Sequence, residues 1–338
     1  MDMNFFLATH SAQGFVNLFE QSLTASRRLL LKGSAGSGKS GTMRAIARHF
    51  ASDDLVLVPC ASDPDSLDVV WDRSRDFAVV DATPPHVLAP RNPVCDQVAN
   101  YYAHIRPQPL LNKLAALNDI EKTLNDAHAD AAAHLSVAGT ALLRAQRTQT
   151  LNEKAVARTV RQLVDRLLDT TRAPYENQTM LLSAFTPKGR LCLTQTLAQT
   201  CDHVFVLQDE SRLAAWRVLS LLVQALTVEE IGYIRCPDPL FADRTEGLLF
   251  PQCGLAILIE PPQSITTPCT LLHCDLHATP VTNRDLMSLC ETHQRAACLS
   301  LARAKTVHDE LEKIYNPAMD WKAVDAHIAR LIESLESA

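Results

Sequence analysis

The spacing of apolar residues changes character several times along the first hundred positions. Residues 28–32 (RLLLK) form a short apolar run of strand type. A Gly/Ser-rich stretch follows, and then Met43, Ile46, Ala47 and Phe50 recur at i, i+3, i+4 and i+7, one face of a helix. Two more apolar runs, 55–59 (LVLVP) and 77–80 (FAVV), predict strands, the second closed by Asp81. Residues 110–172 and 281–336 are rich in Ala, Leu, Lys, Glu and Arg with few breakers, which predicts amphipathic helical hairpins. Between them, 170–179 (TTRAPYENQT) reads as a boundary.

The pattern occurs twice. A shift of 175 positions puts Gly14 on Gly189, Leu18 on Leu193 and the strand 29–31 on 204–206. The same shift carries Met43, Ile46, Ala47 and Phe50 onto Val218, Leu221, Leu222 and Ala225. With a one-residue gap, Cys60 meets Cys236, and Asp63, Pro64 and Asp68 meet Asp238, Pro239 and Asp243. FAVVDA and Pro84-Pro85 match LAILIE and Pro261-Pro262, and the tails HLSVAGTALLRAQ and CLSLARAKTVHDE correspond. Each half also opens with an apolar segment of strand type, 5–8 (FFLA) and 180–184 (MLLSA). A tandem duplication of one α/β unit is expected, with units at 1–172 and 173–338.

Composition narrows the setting. At 338 residues the chain is long enough for about two domains of ~150 residues. With 47% hydrophobic residues it can bury a sizeable core. A net charge of -6 argues against a general nucleic-acid coat. No apolar run approaches the ~20 residues of a membrane helix, and the N-terminus lacks the basic and apolar regions of a signal peptide, so no membrane partner is expected. Ten cysteines without a CxxC fit the reduced thiols of a cytoplasmic protein.

Of the ten glycines, Gly33, Gly36, Gly38 and Gly41 fall within nine residues. Residues 33–40 read GSAGSGKS, a complete G-x-x-x-x-G-K-[ST] lying between strand and helix, as the motif's mechanism requires. The expected phosphate cradle is Gly33, Ser34, Ala35, Gly36, Ser37, Gly38, Lys39, Ser40 and Gly41. Glycine lets backbone N–H groups turn inward, and the helix N-terminus adds partial positive charge. Lys39 would reach the β- and γ-phosphates. The Ser40 hydroxyl would join the shell of Mg²⁺, with Asp81 as the acid of the second phosphate-site motif. Opposite this loop the second half has QDESRLAA (208–215): no glycine, Ala214 facing Lys39, Leu258 facing Asp81, and Asp209 and Glu210 repelling phosphate. Residues kept in both halves read as structural: Asp63-Pro64 as a turn and Asp68 as a helix cap. Residues confined to the first half are candidates for chemistry: Lys39, Ser40, Asp81 and Asp65, the last as a general base opposite Leu240.

GFVNLFEQSL, GSAGSGKS, CASDPDSLD, DATPPHV and AKTVHDELEKIY together resemble an uncharacterised bacterial family of tandem P-loop ATPases, over nearly the whole chain. The resemblance implies ATP binding and hydrolysis without a settled substrate. The degenerate second loop departs from that pattern, in which both halves look like P-loop modules. The expected fold class is therefore α/β: two tandem P-loop NTPase-like modules with mainly parallel sheets and appended helical hairpins. Three function classes stay open: an ATPase, a P-loop kinase phosphorylating a small acceptor, and a nucleotide-dependent switch or scaffold with little turnover. The absence of an N-K-x-D signature favours ATP over GTP. Cys269, His273, Cys274 and His277 crowd nine residues but are split by strand alternation, so zinc competes there with ordinary side-chain roles. Arg212, in the second loop, is either a surface arginine or a finger reaching the first site.

Overall fold

The computed structural model describes residues 4–52, 54–170 and 175–337. The first half begins with a hairpin, β1 (Ala8–Ser11) and β2 (Gly14–Asn17), and a short helix α1 (Phe19–Ser22). Then come β3 (Arg27–Lys32), α2 (Lys39–His49), β4 (Leu55–Pro59), β5 (Leu67–Asp72), β6 (Phe77–Asp81) and β7 (Asp96–Asn100). Three helices follow: α3 (Gln108–Leu111), α4 (Leu114–Gln146) and α5 (Glu153–Thr170). The second half has β8 (Gln178–Thr179), the hairpin β9 (Ser183–Thr186) and β10 (Gly189–Cys192), α6 (Thr194–Thr200), β11 (His203–Gln208) and α7 (Leu213–Val228). It continues with β12 (Ile234–Pro237), β13 (Thr245–Phe250), β14 (Leu255–Ile259), β15 (Cys269–His273), α8 (Arg284–Tyr315) and α9 (Trp321–Glu336). The division at 172/173 lies outside the described residues.

The chain is mixed α/β. One sheet has the order β4-β5-β6-β3-β7, and the other β15-β11-β14-β13-β12-β8. In each, the strand before the loop runs parallel to both neighbours: β3 to β6 and β7, β11 to β14 and β15. The sheets are less uniformly parallel than expected, because β5 and β13 run antiparallel to their neighbours. The reason for β5 is local. Only four residues link it to β6, and the Asp72 carboxylate accepts from Ser74 Oγ and the Arg75 N–H, tightening a turn in which Asp76 is left-handed (φ 56°). Such a link can only make a hairpin. β5 itself (LDVVWD) was not expected from the sequence.

The bulges coincide as well, at Val58/Pro59 between β4 and β5 and at Cys236/Pro237 between β12 and β13. In the two hairpins, Ser11 Oγ donates to Gly14 O and Thr186 Oγ1 to Gly189 O, both at 2.7 Å. The two opening segments pair with each other. Phe6 N–H donates to Leu181 O and Leu181 N–H to Phe6 O, both at 2.9 Å, as a single bridge rather than two separate extra strands. These residues are 175 positions apart, so the bridge relates matching positions about a local two-fold direction.

Strand alternation explains the layering. Leu30, Ala78 and Val80 of one sheet, and Val204, Val206 and Leu258 of the other, share a central core with Phe5, Phe6 and Leu181. On the outer face of the first sheet, Leu29, Leu31 and Val79 pack with Met43 and Ile46 of α2 and with Val324 and Leu331 of α9. The outer face of the second sheet packs on α7 and on Val156, Val160, Leu163 and Leu167 of α5. Each half thus lends its last helix to the other's sheet. α4 and α8 run antiparallel alongside each other, with His134 beside His293 and Asp130 beside Arg303. Among the described residues no helix is long and apolar enough to cross a membrane.

Candidate functional site

Lys32 ends β3, and α2 begins at Lys39 with Gly38 as its left-handed N-cap (φ 97°, ψ 1°). Gly36 is also left-handed (φ 64°). A Cβ at Gly33 would meet Ser37 Oγ at 2.4 Å and Tyr101 Cβ at 2.8 Å, so the curl has no room for a side chain there. Lys39 folds back over the loop: its ammonium donates to the carbonyls of Gly33 (3.0 Å) and Ser34 (2.9 Å) and lies 3.8 Å from Asp81 Oδ2. Asp81 reaches this place because Leu31, two residues before the loop, pairs with it in the parallel β3–β6 register. Its other oxygen accepts from the Thr83 N–H (3.1 Å) and hydroxyl (2.5 Å). Ser40 Oγ is buried and has no hydrogen-bond partner, as is the hydroxyl of Ser34.

The loop floors a cleft of about 570 Å³, into which Gly33, Ala35, Gly36, Ser37, Gly38, Lys39, Ser40, Gly41 and Asp81 all open. Among the expected cradle residues, Ser34 does not line it. The far wall, which the sequence did not reveal, comes from helices distant in the chain. α4 contributes Glu121 and His128, α8 contributes Lys305, His308 and Glu312, and Trp321 opens α9. Lys305 Nζ lies 2.5 Å from Asp309 and 3.5 Å from Asp63. Burial, then the charge of His308, lowers the pKa of His128.

Three expected roles change. Asp65 does not line the cleft: its exposed carboxylate takes an ion pair from Lys188 at 2.8 Å in the β9–β10 turn, which holds its pKa below the usual value. Asp68 is no helix cap. It sits on β5, 3% exposed, and faces the cleft beside Cys60 and His86. Burial pushes its carboxyl up to about 6, against the opposing pull of His86. Its signal in the sequence was an acid inside the apolar run LDVVWD. Arg212 is no finger: its guanidinium is paired with Asp238 inside the second half, away from the cleft lining. Asp63 does act as a turn residue, accepting from Ser66 Oγ at 2.9 Å.

The matching place in the second half is built differently. Arg212 is the left-handed N-cap of α7 (φ 61°, ψ -1°), so Lys39 corresponds to Leu213 rather than Ala214. The pairing Leu207↔Ile259 likewise sets Ile259, not Leu258, opposite Asp81. Asp209 turns inward and is buried. It accepts from the N–H groups of Ser211 (3.1 Å), Ala214 (2.7 Å) and Ala215 (3.1 Å), so a carboxylate of the chain itself fills the helix N-terminus. Cys269 and His273 are exposed on β15, Cys274 is buried, and His277 Nε2 meets Thr159 Oγ1, so that quartet is not gathered around a common point. Among the described residues, Cys60, Asp68 and His86 are the cluster with metal-ligand spacing.

Neither a family model, nor a curated protein, nor a solved structure matches the chain.

Proposed function

We propose that the cleft binds Mg-ATP and hydrolyses it, with the first half as the nucleotide module and the second as a degenerate copy that braces it. The observation carrying this reading is the convergence of a complete glycine loop, the Lys39 ammonium, the buried unpartnered Ser40 hydroxyl and the Asp81 carboxylate in one cleft. A hydroxyl and a carboxylate are hard oxygen donors of the kind Mg²⁺ accepts, and an orphaned buried hydroxyl is satisfied by such an ion. Ser40 and Asp81 would hold Mg²⁺, which supplies charge neutralisation across the β- and γ-phosphates. The loop N–H groups and the start of α2 orient the phosphates. Lys39 exchanges its two carbonyl partners for phosphate oxygens, where its charge counts for more. The repeated strand order, the coincident bulges and the reciprocal Phe6–Leu181 bridge support a tandem duplication of the P-loop-bearing unit; kinship with the bacterial tandem P-loop ATPases rests on the sequence motifs alone. Ten free cysteines fit a reducing cytoplasm.

A kinase reading draws on the cleft's far wall, where Lys305, His128 and His308 stand with Glu121 and Glu312 across space open to a small acceptor. Incubation with ATP and Mg²⁺, with and without a metabolite panel, separates the classes. Phosphate release alone is expected. Acceptor-dependent ADP formation would establish the kinase, and tight binding without product the switch. Lys39→Ala should abolish nucleotide binding or turnover with the fold retained, whereas wild-type affinity and turnover in that variant would refute the site.

A further inference from the structure

We propose that Cys60, Asp68 and His86 form a binding site for a zinc-class divalent metal on the wall of the cleft, separate from the phosphate loop. One donor atom from each residue lies within 4.8 Å of the other two, and His86 Nε2 is 3.4 Å from Asp68 Oδ2. Tetrahedral zinc at ~2.0–2.3 Å from its ligands separates them by about 3.5 Å, so a contraction of about 1 Å closes the set. The residues come from three places held by the sheet. Cys60 follows β4, Asp68 lies on β5, and His86 follows β6 with its ring stacked on Phe19 at 5.2 Å and an interplanar angle of 9°.

Two features call for a cation here. Asp68 is 3% exposed and His86 5%, yet Asp68 Oδ2 and His86 Nδ1 have no hydrogen-bond partner. Buried polar atoms are nearly always satisfied; Nε2 is the His86 nitrogen that faces Asp68, so the orphan that a shared ion satisfies is Asp68 Oδ2. The second half provides the comparison. Past the matching bulge, Glu246, not the Asp243 of the sequence shift, stands where Asp68 stands, buried, with Arg190 at 2.8 Å and the Arg212–Asp238 pair beside it. In the first half, the residues at the places of Arg190 and Arg212 are Phe15 and Gly38, which carry no charge. The buried acid of β5 therefore lacks the fixed cations of its counterpart. A thiol, an imidazole and a carboxylate select zinc, cobalt or a similar ion over Mg²⁺. Three protein ligands leave a fourth position open to the cleft, as in zinc sites that carry water. Binding would release the Cys60 proton, which burial and then Asp68 otherwise hold on the sulfur.

The test uses the full chain, stripped with chelator and titrated with Co²⁺. One Co²⁺ per chain is expected, with a near-ultraviolet thiolate-to-cobalt band and the visible bands of four-coordination, displaced by Zn²⁺ but not by excess Mg²⁺. Cys60→Ser should remove the thiolate band. Asp68→Asn and His86→Gln should each weaken Co²⁺ binding by about tenfold or more. Thermal melts in chelator check that each variant folds, and any one folded variant suffices. Absence of the band, or its persistence in Cys60→Ser with the same affinity, would overturn the site. Because Lys39→Ala leaves these three residues untouched, Co²⁺ binding should survive in it even where nucleotide binding is lost.

Discussion

His10 lies on β1 opposite Phe15 of β2, edge-on to its ring at 5.2 Å and stacked on His128 at 5.2 Å. It is 6% exposed. Burial, with the charges of His128 and His86, lowers its pKa from 6.5 to about 4. The unfolded chain then takes up this proton first as pH falls. The stabilisation is complete above about pH 6.5 and is lost as pH drops towards 4, amounting at full loss to about 3 kcal/mol. In chelator, so that no bound metal contributes, urea titrations from pH 7.5 to 4.5 should show a steeper fall in unfolding free energy for the wild type than for His10→Gln. Coincident profiles would exclude His10 as the source. Nothing in the local sequence marks this residue, because ATHSAQGF shows an alternating hairpin but not that α4 will cover it with His128. The gathering of Lys39, Ser40 and Asp81 in one cleft was legible for the opposite reason: their placement follows from one loop and from strand ends, all local.

At the scale of elements, the glycine loop is packed from outside by helices nearly three hundred residues away. A Cβ at Gly36 would stand 3.1 Å from Glu312 Cα, and one at Gly38 would stand 3.2 Å from Val324 Cγ1 and 3.3 Å from the Trp321 ring. The glycines thus serve both the turn and the close approach of α8 and α9. The helical periodicity of 281–336 foretold the helices, but which sheet they cover depends on the exchange of α5 and α9, which no local pattern encodes. Trp321 is 40% exposed at the cleft edge, whereas Trp71 and Trp216 are buried at 4%. Addition of Mg-ATP should therefore change tryptophan fluorescence through Trp321. Trp321→Phe should lose that signal while its affinity, measured by calorimetry, stays within about threefold of wild type. An unchanged signal in the variant would mean that the nucleotide does not reach this side of the loop.

Over the whole molecule the two halves share a framework and differ at one end of it. Six residues, 33–38, join β3 to α2, but only four, 209–212, join β11 to α7. The sequence shift of 175 hid this difference in length, because two compensating offsets keep the flanking apolar positions in step. With the shorter link the second half cannot form the same cradle, and Asp209 already occupies the N–H groups of Ala214 and Ala215. A phosphate would have to expel a buried carboxylate and sit beside like charge. Titration calorimetry with Mg-ATP should accordingly give one nucleotide per chain. Leu213→Lys, which puts an ammonium at the place of Lys39, should not raise that number, since it neither lengthens the link nor removes Asp209. Even Asp209→Gly with Leu213→Lys leaves a four-residue link, so one site is expected there too. Two sites in the wild-type chain, or a second site gained by Leu213→Lys alone, would contradict the view that the second half keeps the framework without the cradle.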